Sequence, residues 1–226
     1  TVFAKHTIIE NGVEKEKISA FIVERSMPGF SSGKEEVKLG IKGSSTTELH
    51  FEDVKVPAEN ILGDPGKGFK IAMEILNQGR LGLAAGCLGG ARMLYNLAMD
   101  HATTRKQFGK TIFEFEMVKE KLSRILAGIY SMESMVYLTS GLIDRGESDY
   151  SLESAACKIY CSEKVWEIVN EALQISGGNG YMADYPYEKA LRDCRINLIF
   201  EGTNEILRAF IALAGFQYPG EYLKDL

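Results

Sequence analysis

The spacing of hydrophobic residues changes part-way along the chain. Up to about residue 62, β-branched and aromatic residues fill short runs at 2–9, 18–24 and 48–56, a pattern typical of strands. From residue 66 onward, apolar residues recur at intervals of four and three, which is the period of a helix packed on others. One such stripe contains Val118, Leu122, Ile125, Ile129, Met132 and Val136. The pattern predicts a β region followed by an α region.

Turn residues mark a hairpin and the boundary between the two regions. Asn11 and Gly12 both tolerate positive φ, so this pair predicts a tight β-hairpin, and Pro57 closes the last predicted strand. Both periodicities are interrupted near residues 62–68, at Gly63, Pro65, Gly66 and Gly68. We therefore predict one domain over residues 1–64 and a second over residues 65–226.

The helical region contains several long elements. The patterns at residues 69–102 and 152–175, with the stripe at 118–136, predict helices long enough to form an antiparallel bundle. Ser151 is the predicted N-cap of the third, with Glu153 in its first turn, where the helix dipole favours an acid. Two shorter helices are expected at 186–195 and 202–214, joined by the largely apolar segment 196–200.

Composition narrows the classes of function. The 226 residues are 45% hydrophobic and 25% charged with a net charge of −5, and this balance argues against a nucleic-acid-binding protein. The four cysteines lack the paired spacing of zinc sites, and no two of the three histidines are four residues apart, so we expect reduced structural thiols and no metal. No apolar run reaches the roughly 20 residues needed to span a bilayer.

The strongest candidate for chemistry is Glu201. It lies between the apolar segment 196–200 and Gly202, just before a predicted helix start at Thr203 or Asn204. Burial favours the neutral form of a carboxylate, whereas a nearby helix N-terminus favours the charged form, and a group held between the two suits general-base catalysis. Simple N-capping of the helix is the alternative, and on the residues alone it is the commoner role.

Two further segments could hold a dinucleotide. Residues 174–181 end a long helix in a cluster of three glycines, which either exposes backbone N–H groups to a phosphate or forms a helix C-cap and loop. Residues 105–110 combine three cations with an aromatic ring and a glycine, which suits a diphosphate or a solvated basic loop. Arg80, inside a predicted helix, is either a surface charge or a ligand contact.

Taken in order, these segments resemble the acyl-CoA dehydrogenase family over essentially the whole chain. The strip from Gly40 to Gly63 is similar to the last strands of the family's middle domain, and residues 66–72 are similar to its first bundle helix. The resemblance implies the end of a β-barrel or sandwich domain at 1–64 and an antiparallel four-helix-bundle C-terminal domain at 65–226. The first residues read as the middle of a strand without an initiator Met or a signal peptide, so we expect a fragment or a processed product.

The resemblance also assigns roles to residues. Glu201 matches the catalytic glutamate, and the rival position for a base, immediately before Arg80, is occupied by Gly79. The turn at 105–109 is similar to the segment that reaches the FAD held by the other subunit of a dimer. The implied FAD contacts are Arg105, Gln107, Phe108, Gln174, Gly177, Gly178, Thr203 and Asn204, with Phe115 and Glu116 near the adenine. The implied substrate contacts are Asn77, Arg80 and Gly202.

The implied reaction is α,β-dehydrogenation of a fatty acyl-CoA. Glu201 removes an α-proton, the β-hydrogen leaves as hydride to FAD, and the product is a trans-2-enoyl-CoA. Segments 132–135, 184–188 and 206–208 are most similar to the very-long-chain branch of the family and its complex I assembly relative, which implies a long or very-long-chain substrate.

The resemblance further implies an electron-transfer flavoprotein as acceptor, a homodimer or dimer of dimers, and a mitochondrial location in the matrix or at the inner membrane. Peripheral membrane contact would come from a C-terminal domain that lies beyond residue 226. Two other functions stay open: a complex I assembly scaffold, and an acyl-CoA oxidase, which oxygen reactivity would distinguish.

Overall fold

A two-stranded hairpin begins the fold. In the computed structural model, which describes residues 1–224, strands β1 (Val2–Glu10) and β2 (Val13–Phe21) pair antiparallel, with Glu10 opposite Val13. The two turn residues Asn11 and Gly12 have φ of 57° and 77°, as a two-residue hairpin with right-handed strand twist requires. The predicted hairpin is confirmed, but the bounds predicted for its second strand, 18–24, are wrong because the tight turn lets pairing begin at Val13 and end at Phe21.

The remaining strands of this region differ from the prediction. β3 (Phe30–Ser32) pairs with β4 (Leu49–Phe51), so the strand predicted over residues 48–56 is wrong beyond residue 51. The chain leaves the pair because Asp53 has a φ of 52°, which is incompatible with a continuing strand. A 3-10 turn at Ala58–Asn60 then leads into β5 (Ile61–Leu62), which pairs with the end of β2 and was not predicted.

Three long helices dominate the rest of the chain. They are α1 (Gly68–Thr104), α2 (Glu116–Asp144) and α3 (Ser151–Ser176), and the predicted spans at 69–102 and 152–175 differ from α1 and α3 by at most two residues at each end. Between α1 and α2 lies a small hairpin of β6 (Lys106–Gln107) and β7 (Lys110–Thr111). The protein is therefore mixed helix and sheet, and mostly helical.

The beginning of α3 corrects one prediction. Ser151 is the first helical residue, and the N-cap position belongs to Tyr150, whose side chain makes no capping bond. The carboxylate of Asp149 instead accepts the Ser151 N–H at 3.0 Å, so an acidic side chain upstream takes the role predicted for the Ser151 hydroxyl. Glu153 does lie in the first turn, as expected.

Short helices complete the chain. They are α4 (Gly178–Tyr181), α5 (Tyr187–Cys194) followed by a 3-10 turn at Arg195–Leu198, and finally α6 (Asn204–Lys224). Helix α5 was predicted to within one residue, whereas α4 was not predicted. Helix α6 starts at Asn204, one of the two predicted start residues, because Glu201 and Gly202 have positive φ, which an α-helix cannot contain. The broader span predicted at 202–214 is wrong at its end, since the helix continues to Lys224.

The core lies between the long helices. The stripe predicted on α2 is buried at Leu122, Ile125, Ile129, Met132 and Val136, and it belongs to one apolar cluster with residues of α1 and α3. Burial of each such side chain contributes about 1.5–3 kcal/mol relative to exposure. The cluster holds α1, α2 and α3 in fixed register and so determines where their polar residues lie. No helix in the described range 1–224 is long and apolar enough to cross a membrane.

Two compact units can be distinguished. One contains Thr1–Lys38 and Lys42–Leu76, and the other contains Leu39–Ile41 and Asn77–Leu226. The short strip 39–41 belongs with the helices because Asp193 of α5 accepts the Ile41 N–H at 2.6 Å and Arg192 donates to the Leu39 carbonyl at 3.2 Å. The predicted division after residue 64 stays a prediction.

Candidate active site

Glu201 lies in a turn with an unusual backbone. Its φ is 59° and that of Gly202 is 90°, and left-handed backbone in a residue with a side chain costs roughly 1–2 kcal/mol. The N-cap position of α6 is filled by Thr203, whose hydroxyl accepts the Ile206 N–H at 3.4 Å, and the acid in the first turn is Glu205. The N-capping alternative for Glu201 is therefore wrong.

The Glu201 side chain points at α1. A Cβ built on Gly79 would lie 2.8 Å from Glu201 Oε2, which is closer than real Cβ atoms approach another heavy atom, and 3.0 Å from Oε1. Oε2 is buried and has no hydrogen-bond partner among the described residues. Buried polar atoms are nearly always paired, so an unpaired carboxylate oxygen indicates a group kept free for a ligand.

Arg80 holds the backbone of the same turn. Its side chain is buried, its Nε donates to the Glu201 carbonyl at 3.2 Å, and its Nη1 donates to Asn77 Oδ1 at 2.9 Å. Burial lowers the pKa of the Arg80 guanidinium, and the nearby Glu201 carboxylate partly offsets this. Of the two sequence-based interpretations of Arg80, the surface charge is wrong. Asn77, Arg80, Glu201 and Gly202 are thus brought together.

A second cation, missed in the sequence, supports the next residue of the turn. Lys158 of α3 has no exposed surface, and its Nζ donates to the Gly202 carbonyl at 2.8 Å and to Asn204 Oδ1 at 2.6 Å. Burial, together with the nearby Arg80 cation, lowers the pKa of Lys158 to about 8. The helical period could have indicated only its burial, because Lys158 lies three residues after Ala155 and three before Cys161 on the apolar face of α3.

Asn204 is fully engaged within the fold. It is 1% exposed, and besides accepting from Lys158 it donates from Nδ2 to Ser162 Oγ and to Glu163 Oε1, both at 3.1 Å. These contacts anchor the start of α6 on α3. The FAD contact expected of Asn204 stays a prediction, as does that of the half-buried Thr203.

The glycine cluster has mixed origins. Gly177 follows the last residue of α3 with a φ of 57°, and a Cβ on Gly180 would lie 2.3 Å from the Leu173 carbonyl oxygen, so both glycines have structural reasons. Gly178 has neither a positive φ nor a close backbone neighbour, and a Cβ on Gly177 or Gly178 would meet nothing within 4 Å. Together with the exposed Gln174, they present bare backbone to open space.

The small hairpin carries an exposed aromatic ring. Phe108 and Gly109 form its turn with φ of 55° and 82°, and Phe108 is 90% exposed. Its ring lies edge-on to Phe115 at 6.2 Å between centroids, and Lys110 Nζ lies 4.3 Å from the Phe115 centroid. Arg105, Lys106 and Gln107 are also exposed. In the described part of the chain, no hydrogen bond or ring contact joins this hairpin to residues 174–178.

Other candidate chemistry is not supported. All four cysteines are free, three of them are buried, and burial raises the pKa of the Cys87 thiol to about 12, which agrees with structural thiols. Within residues 1–224, no group of three or more His, Cys, Asp or Glu side chains could hold a metal ion.

Comparison with known proteins gives consistent matches. The family model described as acyl-CoA dehydrogenase, C-terminal domain, matches residues 66–215. The very long-chain specific acyl-CoA dehydrogenase of human mitochondria is 48% identical over 228 residues, which cover 100% of this chain and 35% of that protein. The chain therefore spans about a third of the length of this relative.

Two solved structures extend the comparison. Butyryl-CoA dehydrogenase from Megasphaera elsdenii has a TM-score of 0.85 and 41% identity, covering 89% of this chain and 52% of that one. An acyl-CoA dehydrogenase from Bacillus anthracis, described as complexed with FAD, has a TM-score of 0.85 and 39% identity, covering 97% of this chain and 40% of that one.

Proposed function

Because the chain belongs to the acyl-CoA dehydrogenase family, we propose that it supplies the catalytic base and part of the FAD site of an enzyme that dehydrogenates acyl-CoA thioesters at the α,β bond. The observation that carries this proposal is the Glu201 carboxylate, whose buried Oε2 has no hydrogen-bond partner in the described part of the chain and faces the space left by Gly79. The proposal concerns the whole protein, since the chain spans only part of its relatives.

Glu201 would act as the base on the α-carbon. A base must keep an oxygen lone pair available and must be held in place, and both conditions are supported by the unpaired Oε2 and by the bond from Arg80 to the Glu201 carbonyl. A well-positioned general base contributes roughly 10²–10⁴ in rate. We assign the Glu201 backbone N–H as a donor to the thioester carbonyl, where charge develops as the proton leaves.

FAD is the cofactor of this family, and the exposed groups of the chain are compatible with it. Phe108 offers an exposed ring for stacking, Arg105 and Lys106 offer cations for a diphosphate, and Gly177 and Gly178 offer unshielded backbone. When bound, FAD accepts the β-hydrogen as hydride. We further propose that the second subunit of a homodimer or dimer of dimers completes the FAD site, since no hydrogen bond or ring contact within residues 1–224 joins the hairpin to residues 174–178.

The substrate is proposed to be a long or very-long-chain acyl-CoA. Support comes from the 48% identity to the human very long-chain enzyme, while the 41% identity to the butyryl-CoA enzyme is the competing indication. The proposed location is mitochondrial, with an electron-transfer flavoprotein as acceptor and peripheral membrane contact outside this chain. We also propose the end of a β-barrel or sandwich domain at 1–64 and a four-helix bundle at 65–226.

Anaerobic titration of the flavoprotein with saturated acyl-CoAs of graded length tests the substrate assignment. We expect flavin bleaching with C14 to C20 thioesters and little with butyryl-CoA. Bleaching by butyryl-CoA alone would contradict the chain-length assignment, and no bleaching with any thioester would contradict the reaction. Rapid reoxidation of the reduced flavin by oxygen would instead indicate an oxidase.

A further inference from the structure

Lys158 is a charged residue in a position where burial is energetically costly. It has no exposed surface, and an uncompensated buried ammonium is strongly unfavourable. Its two acceptors, the Gly202 carbonyl and Asn204 Oδ1, both belong to the segment that links Glu201 to α6. The lysine therefore connects the middle of α3 to the residues that directly follow the proposed base.

The turn that carries Glu201 needs external support. Glu201 and Gly202 have consecutive positive φ values of 59° and 90°, and such backbone persists only where the surroundings determine it. Two buried cations supply contacts in sequence: Arg80 donates to the Glu201 carbonyl, and Lys158 donates to the Gly202 carbonyl. The carbonyl groups of Glu201 and Gly202 therefore each accept a hydrogen bond from a buried cation.

Asn204 extends the same support. Its oxygen accepts from Lys158, and its nitrogen donates to Ser162 and Glu163. Three side chains on adjacent turns of α3 therefore bind the segment that links Glu201 to α6. An apolar residue at 158 would fill the space but would leave the Gly202 carbonyl and Asn204 Oδ1 without this donor. This position therefore needs the N–H donors and the length of a lysine side chain, not only a side chain of similar volume.

We propose that Lys158 is a positioning residue for the base, and that its contacts with Gly202 and Asn204 fix the turn from which the Glu201 carboxylate reaches the substrate. The inference rests on the proposed role of Glu201. Lys158 acts through the backbone, so its loss should impair proton abstraction while leaving the binding of FAD and acyl-CoA largely intact.

The test compares three variants of the FAD-loaded protein by anaerobic rapid mixing with a saturated acyl-CoA. Lys158→Met removes the donors at similar volume, and Lys158→Gln keeps an amide donor on a shorter chain. Lys164→Met, on the same helix but paired with Glu167 near the surface, is the matched control. Flavin content, the acyl-CoA dissociation constant and the limiting rate of flavin reduction are measured for each.

We expect the limiting rate to fall by on the order of 10²-fold in Lys158→Met, since a displacement of about 1 Å has effects of that size. The fall should be smaller in Lys158→Gln, with flavin content and the dissociation constant within about 3-fold of wild type and Lys164→Met unaffected. Lys158→Gln decides the matter if Lys158→Met does not fold. A wild-type rate in either Lys158 variant, or an equal loss in binding and rate, overturns the proposal.

Failure of the proposed function gives a different result. If the wild-type flavin is not bleached, or if Glu201→Gln is reduced as fast as wild type, Glu201 is not the base, and both proposals fall. If Glu201→Gln is inactive and Lys158→Met is reduced at the wild-type rate, only the role of Lys158 falls.

Discussion

The Glu201 carboxylate lies directly against Gly79, so closely that a Cβ on Gly79 would come within 2.8 Å of Oε2. Helix α1 therefore leaves room for the carboxylate because Gly79 has no side chain. Glycine in a helix interior costs about 1 kcal/mol relative to alanine, and here that cost creates the space in which the carboxylate lies.

Gly79→Ala is expected to slow flavin reduction by on the order of 10²-fold, because the new methyl group must displace the Glu201 carboxylate. FAD content should not change. The matched control is Gly89→Ala on the same helix, where a Cβ meets nothing within 4 Å. Anaerobic rapid mixing of both variants with acyl-CoA checks this, and equal rates in Gly79→Ala and Gly89→Ala would show that the contact does not matter.

Arg80→Leu should destabilise the protein and slow flavin reduction. The substitution leaves the Glu201 carbonyl and Asn77 Oδ1 without their donor, and a buried group that loses its partner costs about 1–3 kcal/mol. Arg124→Leu is the control, because Arg124 is exposed and pairs with Glu120 on its own helix, where such pairs contribute less than about 1 kcal/mol. Urea unfolding should show a lower midpoint for Arg80→Leu only.

The backbone strain at Glu201 can be measured separately from its chemistry. Glu201→Gly and Glu201→Ala both remove the carboxylate, but only glycine adopts the φ of 59° without a steric penalty. We expect Glu201→Gly to be the more stable variant by about 1 kcal/mol in thermal or urea unfolding. If Glu201→Ala proves equally stable or more stable, the turn does not store the strain described.

The stability contributed by Lys158 should depend on pH. Its folded pKa is about 8, below the ordinary value of 10.5, so between these pH values the unfolded chain binds more protons than the native protein. Stability relative to Lys158→Met should therefore rise as the pH increases from about 8 to about 10.5. The ionisable groups acting on it, besides burial, are Arg80, which lowers the pKa, and Cys87, Glu205 and Glu201, which raise it.

Unfolding at a series of pH values, with wild type and Lys158→Met measured in parallel, removes the contribution of groups common to both. A stability difference that falls as the pH increases, or that stays constant, would show that the folded pKa of Lys158 is not lowered.

Much of the fold follows from local patterns. The period of apolar residues predicted α1 and α3 closely, and the Asn11-Gly12 pair predicted its hairpin, because these signals act over a few neighbouring residues. The predictions were wrong where the backbone conformation of a single residue or a competing side chain determines the local structure. The strand at 48–56 ends early at the positive φ of Asp53, and the Asp149 carboxylate takes the place predicted for the Ser151 hydroxyl.

In the candidate site, too, local sequence signals identified some residues, while others depend on tertiary contacts. Glu201 was identified through a resemblance, whereas its residues alone favoured a helix cap. Lys158 was missed because a lysine in a helix is usually solvated, and only the tertiary contacts with Gly202 and Asn204 show its role. Gly79 was read as evidence against a rival base, but its contact with Glu201 depends on the packing of α1 beside a turn far along the chain.

The limiting rate of flavin reduction in Glu201→Gln tests the central claim most directly. Glutamine has nearly the shape of glutamate but cannot accept the α-proton. The variant should retain FAD and bind acyl-CoA, while the rate of anaerobic bleaching falls by at least about 10²-fold. Bleaching at the wild-type rate would contradict the assignment of Glu201 as the base.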